Sequence, residues 1–172
     1  MGLGRFGGGL AAAESLLAEG RQVLVTDLAE EVALQASVAK LRETFGTQVS
    51  FRLGGHEQDD FAQAELVIAN PAVPQPWHNP YLQTAWESGA TVTTEIAHTL
   101  SQLCDRKTIA ITGSAGKSTT TAMTHAALVA ADIPATRGGN LGESLVGTPK
   151  DHTLVVELSS AMAWWLYEAP KA

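Results

Sequence analysis

Apolar positions along the chain fall into two alternating patterns. Short runs rich in Val, Ile, Leu and Thr occupy residues 22–26, 66–69, 91–93, 107–112 and 154–158, each bounded by Gly, Asn, Asp or Ser. Runs of that length and composition predict buried parallel strands. Between them, residues 9–19, 30–45, 81–88, 96–103 and 117–131 predict helices. Strand–helix alternation of this kind predicts an α/β protein with a mostly parallel sheet. Residues 70–80, NPAVPQPWHNP, hold four of the seven prolines and read as an irregular surface loop at a strand end, because both patterns resume after them. The polar stretch Leu103-Cys104-Asp105-Arg106-Lys107 precedes a new glycine loop and marks a boundary, giving a first domain over residues 1–104 and a second over 105–172.

Composition narrows the class. The 172 residues are 45% hydrophobic and 17% charged, with 16 Gly and 7 Pro, the make-up of a soluble globular protein with room for one domain of generous size or one domain plus part of another. A net charge of -7, from 11 Lys+Arg against 18 Asp+Glu, argues against nucleic acid and anionic membranes as partners. No run reaches the ~18 apolar residues of a membrane span, and no signal-peptide pattern opens the chain. The single cysteine, Cys104, excludes an internal disulfide. Without zinc-ligand spacing elsewhere, a cytoplasmic setting and a buried, hydrophobe-like Cys104 are expected. His56, His78, His98, His125 and His152 stand scattered among polar neighbours and are expected at the surface or at caps.

Two glycine clusters carry candidate chemistry. Gly2, Gly4 and Gly7 form GxGxxG ahead of a helix, and the next strand ends in Asp27. Such glycines permit a tight turn and close backbone approach to an anion, and the acidic residue can hydrogen bond a ribose or base. The fingerprint normally follows a strand, whereas only Met1 precedes it here. The expectation is that the first strand is missing and the chain begins inside a longer reading frame. Glycines serving only a tight turn, with Asp27 as a capping carboxylate, are the plainer alternative. The second cluster is TIAITGSAGKSTTT at 108–121, an apolar strand, then Gly113-Ser114-Ala115-Gly116-Lys117-Ser118-Thr119, then a helix. Here N–H groups can wrap phosphates, Lys117 can neutralise β and γ charge, and the Ser118 hydroxyl can ligate magnesium. Ile111 stands where the general GxxxxGK[ST] pattern has glycine, so the loop is a shorter TGxxGKST form. Glu157, closing the apolar strand of TLVVELSS at 153–160, is the natural acidic partner for that cation.

In this order, GLGRFG with GRQVLVTD, ANPAVP, TEIAHTL, TGSAGKSTTT, GGNLG at 138–142 and ELSS at 157–160 resemble the Mur ligases of peptidoglycan synthesis over most of the chain. The resemblance leans to the branch that adds D-glutamate to UDP-N-acetylmuramoyl-L-alanine. It implies an α/β fold in which a Rossmann-like UDP-binding domain is followed by the start of a P-loop ATPase domain. It further implies that Gly4, Arg5 and Phe6 meet the diphosphate, Asp27 the uracil and Asn140 the muramoyl substrate. ATP would lie on residues 113–119, with Lys117 catalytic and Ser118 and Glu157 on Mg²⁺. The implied chemistry is phosphorylation of the substrate carboxylate to an acyl phosphate, then attack by the D-glutamate amine, in an enzyme expected to be a monomer at full length.

Departures accompany the match. Ala161-Met162-Ala163 follow ELSS where the family has Phe-Gln-Leu, and Trp164-Trp165-Leu166-Tyr167 come next. The family's carbamylated lysine, its magnesium-binding histidine and its amino-acid-binding domain have no counterpart, so the chain is expected not to complete the reaction. Only two strands are predicted in the second domain, and residues 164–167 read as core without its cover. Two other functions stay open: a dinucleotide-dependent oxidoreductase using Gly2–Gly7 with Asp27, and a non-catalytic nucleotide-binding module.

Overall fold

The computed structural model describes residues 1–4, 8–140, 144–167 and 169. The chain divides into two compact units, one over residues 1–95 together with Ala169 and one that starts at Ile96 and takes in α7.

In the first unit, α1 (Gly8–Ala18), β1 (Val23–Asp27), α2 (Glu31–Phe45), β2 (Val49–Leu53), α3 (Gln58–Ala62), β3 (Leu66–Ile68), α4 (Pro80–Glu87) and β4 (Thr91–Thr93) follow in order. β1 and β2 pair in parallel from Val23 beside Val49 to Asp27 beside Leu53. β3 and β4 pair in parallel from Leu66 beside Thr91 to Ile68 beside Thr93. Residues 1–2 join the two pairs: Gly2 N donates to Thr26 O (2.8 Å), and Asn70 N donates to Met1 O (2.9 Å). Leu34, Val38 and Leu41 make one stripe on α2, at the spacing that keeps side chains on a single helix face. That stripe packs with Leu3, Ala13, Leu17, Val25 and Val49 to form the core. β2 escaped the sequence reading because VSFRL is not a continuous apolar run. It alternates instead, and Val49, Phe51 and Leu53 supply its apolar contacts with this core.

The second unit contains α5 (Glu95–Gln102) from Ile96 onward, β5 (Thr108–Ile111), α6 (Lys117–Ala130), β6 (Ala135–Gly139), β7 (Thr153–Glu157) and α7 (Ser160–Tyr167). Its sheet is parallel with order β5-β7-β6. Every residue of β7 is buried, as a middle strand requires. The sheet has three strands, not the two expected. Ala135-Thr136-Arg137-Gly138-Gly139 carries no apolar run and is a strand because it pairs with β7 from Ala135 beside Thr153 to Gly139 beside Glu157. Ile96, Leu145, Leu154, Val156 and Leu158 form the core here. The expected uncovered cluster at 164–167 is a helical turn whose Trp165 is 5% exposed while Tyr167 is 76% exposed. Cys104 is exposed, against expectation, because it follows the last turn of α5 rather than facing the sheet. No described helix is long and apolar enough to cross a membrane.

The α-amino group of the first unit donates to Ile68 O (2.9 Å). Its enclosure pushes its pKa down from 8.0 to about 6, with Asp27 pulling the other way. His56 is also pushed down, first by burial and then by that amine's charge, against Asp27 and Asp60. Both folded-state values lie below their unfolded ones. The stability the neutral forms allow is therefore present above the unfolded values and lost as pH falls through the folded ones. For the amine alone the loss is about 2–3 kcal/mol. Urea midpoints measured from about pH 8.5 to about pH 5.5 should fall steadily, and acetylating the amine should remove the upper part of the slope. A flat profile contradicts the burial of the amine.

Candidate functional site

The loop at the start of the first unit is shaped by glycines. Gly2 (φ 76°) and Gly4 (φ 67°) hold left-handed conformations that other residues adopt only with strain. Between them Leu3 is 2% exposed and anchors the loop in the core. Asp27, at the end of β1, holds the loop from below: Oδ2 accepts from Gly4 N (3.1 Å) and Oδ1 from Ala29 N (2.8 Å). Gly4 and Asp27 are thus brought together, while Arg5, Phe6 and Gly7 lie outside the described residues.

Two residues that sequence reasoning did not single out complete this loop. Asn70 donates through Nδ2 to Gly2 O (3.4 Å) and accepts at Oδ1 from Ala72 N (2.9 Å). Its Cβ lies 2.9 Å from where a Gly2 Cβ would be. A Cβ on Gly9 would fall 2.3 Å from Leu3 O, so the close approach of helix to loop happens at Gly9. The run Gly7-Gly8-Gly9 was its available signal.

His56, also in the first unit, is not the surface residue expected. Its Nδ1 hydrogen bonds with Thr26 Oγ1, and its ring lies 5.2 Å from Tyr81 and 5.9 Å from Phe61. A cavity of about 380 Å³ opens beside it, lined by His56, Glu57, Gln58, Asp59, Pro80 and Tyr81. His125 and His152 likewise depart from the expectation. They are half-buried and bonded to Ala135 O (3.2 Å) and Thr136 Oγ1 (2.8 Å).

In the second unit the candidate residues gather at the carboxyl end of the sheet, where ligands of open α/β sheets bind. β5 ends at Ile111, and Thr112, Gly113, Ser114, Ala115 and Gly116 are exposed, as are Ser118 and Thr119 on the first turn of α6. Gly113 (φ 148°) and Gly116 (φ 76°) make the turn. The first α6 bond is Thr120 N to Gly116 O (2.9 Å). First-turn N–H groups at a helix start have no acceptor within the helix and face an anion placed there. Lys117 Nζ donates to Gly113 O (2.9 Å).

Glu157 ends β7 and stands in register with Ile111 on one side and Gly139 on the other. It is 1% exposed. Oε1 accepts from Asn140 Nδ2 (2.9 Å), and Oε2 is buried with no hydrogen-bond partner among the described residues. A buried carboxylate oxygen without a donor is costly unless a cation meets it. Carboxylate and hydroxyl oxygens are also the ligands magnesium prefers, so Glu157 with the Ser118 hydroxyl fits that ion chemically.

A glycine loop precedes a helix in one parallel unit, and in the next a second, shorter glycine-lysine loop follows the strand paired with the one that ends in the buried Glu157, an arrangement of parallel α/β units with glycine loops at helix starts. Residues 1–94 match the family "Mur ligase MurD-like, N-terminal domain", and the chain belongs to the Mur ligases. It is 39% identical over 162 residues to the UDP-N-acetylmuramoylalanine–D-glutamate ligase of Geobacter metallireducens, covering 92% of this chain and 34% of that protein. The ligase of the same name from Trichlorobacter lovleyi is 34% identical over 96% of this chain and 36% of its own length. That from Roseiflexus sp. is 39% identical over 98% of this chain and 36% of its own. The chain therefore spans about a third of the length of the curated relatives it matches.

Proposed function

We propose that this chain carries the nucleotide-binding machinery of an ATP-dependent, ADP-forming ligase that joins D-glutamate to UDP-N-acetylmuramoyl-L-alanine. In this reading residues 1–104 bind the UDP part of the substrate, with Gly4, Arg5 and Phe6 at the diphosphate and Asp27 at the uracil. Residues 105–172 open the ATP-binding domain, and the triphosphate lies along Gly113, Ser114, Ala115, Gly116, Lys117, Ser118 and Thr119. Asn140 faces the muramoyl substrate. Ser118 and Glu157 hold Mg²⁺, which when bound screens charge between the phosphates. Lys117 gives up Gly113 O and neutralises the transferring phosphoryl group, which is positioning and electrostatic work rather than covalent chemistry. The substrate carboxylate takes that phosphoryl group to become an acyl phosphate. The D-glutamate amine then displaces phosphate to form the amide.

The observation that carries the reading is the buried Oε2 of Glu157, without a hydrogen-bond partner among the described residues, on the strand paired with the one that feeds the Lys117 loop. Calorimetric titration of the chain with Mg²⁺-ATP, UDP-N-acetylmuramoyl-L-alanine and NADH tests it. Binding of the first two and not the third is expected. NADH binding without either of the others would replace the ligase by an oxidoreductase.

A further inference from the structure

We propose that Asn140 is the positioning residue for the Glu157 carboxylate, fixing the plane of the group and so the direction in which its other oxygen faces the cation. The proposal rests on the reading of Glu157 as a magnesium ligand and adds a residue that acts through it. An ionised carboxylate can only accept hydrogen bonds, so the amide nitrogen of Asn140 must be the atom that faces it. That contact, Nδ2 to Oε1 at 2.9 Å, is accompanied by a main-chain bond of the same length from Asn140 N to Glu157 O. Two bonds from one residue therefore grip both the backbone and the side chain of Glu157.

The grip depends on the residue before it. Gly139 has φ 98°, and a Cβ there would fall 2.3 Å from Glu157 O. Only glycine lets the end of β6 lie flush against β7, which brings Asn140 level with the carboxylate. The terminal torsion of a glutamate is broad and nearly two-fold, so packing alone leaves the oxygens poorly oriented. With one oxygen held by Asn140, the carboxylate plane is set, and the other, Oε2, which has no hydrogen-bond partner among the described residues, meets the cation as a preset ligand. Donors that orient a metal ligand in this way typically change metal affinity by about 10–100-fold. One amide hydrogen satisfies this role, and an amide has further donor and acceptor positions for substrate.

The test separates metal-linked from metal-free nucleotide binding in the full chain. ATP affinity is measured with Mg²⁺ and again with EDTA for the wild type, Asn140→Ala, Asn140→Leu and Glu157→Gln. The near-isosteric Leu variant guards against a packing defect in the Ala one. Both Asn140 variants should lose about tenfold or more of the Mg²⁺-linked gain, with metal-free affinity within about twofold of wild type. A merely structural role would instead lower both affinities together, and that result overturns the proposal. So does a full Mg²⁺-linked gain in both Asn140 variants when Glu157→Gln abolishes it. A full gain in Glu157→Gln itself would remove Glu157 from the metal site, and the reading beneath the proposal would fall first.

Discussion

Lys117→Ala is expected to weaken ATP binding by about a hundredfold or more while leaving the melting temperature and binding of the UDP-linked substrate unchanged. A hydrogen bond from a charged group contributes about 1.5–3 kcal/mol, and a lysine serving two phosphates makes more than one. Losing about 3 kcal/mol of binding corresponds to roughly a hundredfold in Kd. Fold stability should be untouched because the Lys117 amine holds only the exposed Gly113 carbonyl (2.9 Å) in the structure. An exposed contact of that kind contributes little, and alanine is a favourable residue for a helix start. In the proposed reading the UDP part of the substrate is bound by residues 1–104 and Lys117 makes no contact with it, so its binding serves as the internal control. Calorimetry on Lys117→Ala and Lys117→Met decides the matter, and undiminished ATP affinity in both would sink the triphosphate assignment of residues 113–119.

Gly9→Ala is expected to destabilise the first unit by about 2–4 kcal/mol, while its neighbour Gly8→Ala is neutral or stabilising by up to about 1 kcal/mol. Both glycines lie in the first turn of α1. In an ordinary helix the two changes would be alike, each gaining backbone order. They differ because a Cβ at position 8 meets nothing within 4 Å among the described residues, whereas one at position 9 meets Leu3 O at 2.3 Å and Gly2 O at 2.7 Å. Neither obstacle is the movable end of a side chain. Leu3 is fixed in the core at 2% exposure, and Gly2 is tied to Thr26 O. The helix must therefore pull away from the loop, taking the loop's N–H groups out of place. Denaturant unfolding gives the stability difference, and titration with the UDP-linked substrate gives the functional one. Equal stability for the two variants would mean that α1 does not press on the loop.

The candidate residues of the second loop were legible because they are local. A left-handed turn, a lysine and a hydroxyl fall within residues 113–119, and Glu157 closes an apolar run. Asp27 was found for the same reason, although its visible work is to hold Gly4 N and Ala29 N. Asn70 was not found as a loop contact, since its partner Gly2 lies 68 residues away. His56 misled because polar neighbours in sequence say nothing of Phe61 and Tyr81 packed around its ring.

By itself, the sequence determined the alternation of strand and helix, the two glycine loops and the family to which they belong, because periodicity and backbone conformation are properties of neighbouring residues. Tertiary structure alone decided that Ala135-Thr136-Arg137-Gly138-Gly139 is a strand, that Gly9 admits no side chain, and that Asn140 holds one oxygen of Glu157 while the other has no donor among the described residues. Parallel strands pair across long stretches of chain through backbone groups that every residue carries. Which residue ends up beside which is therefore set by packing and register, and no local pattern records it.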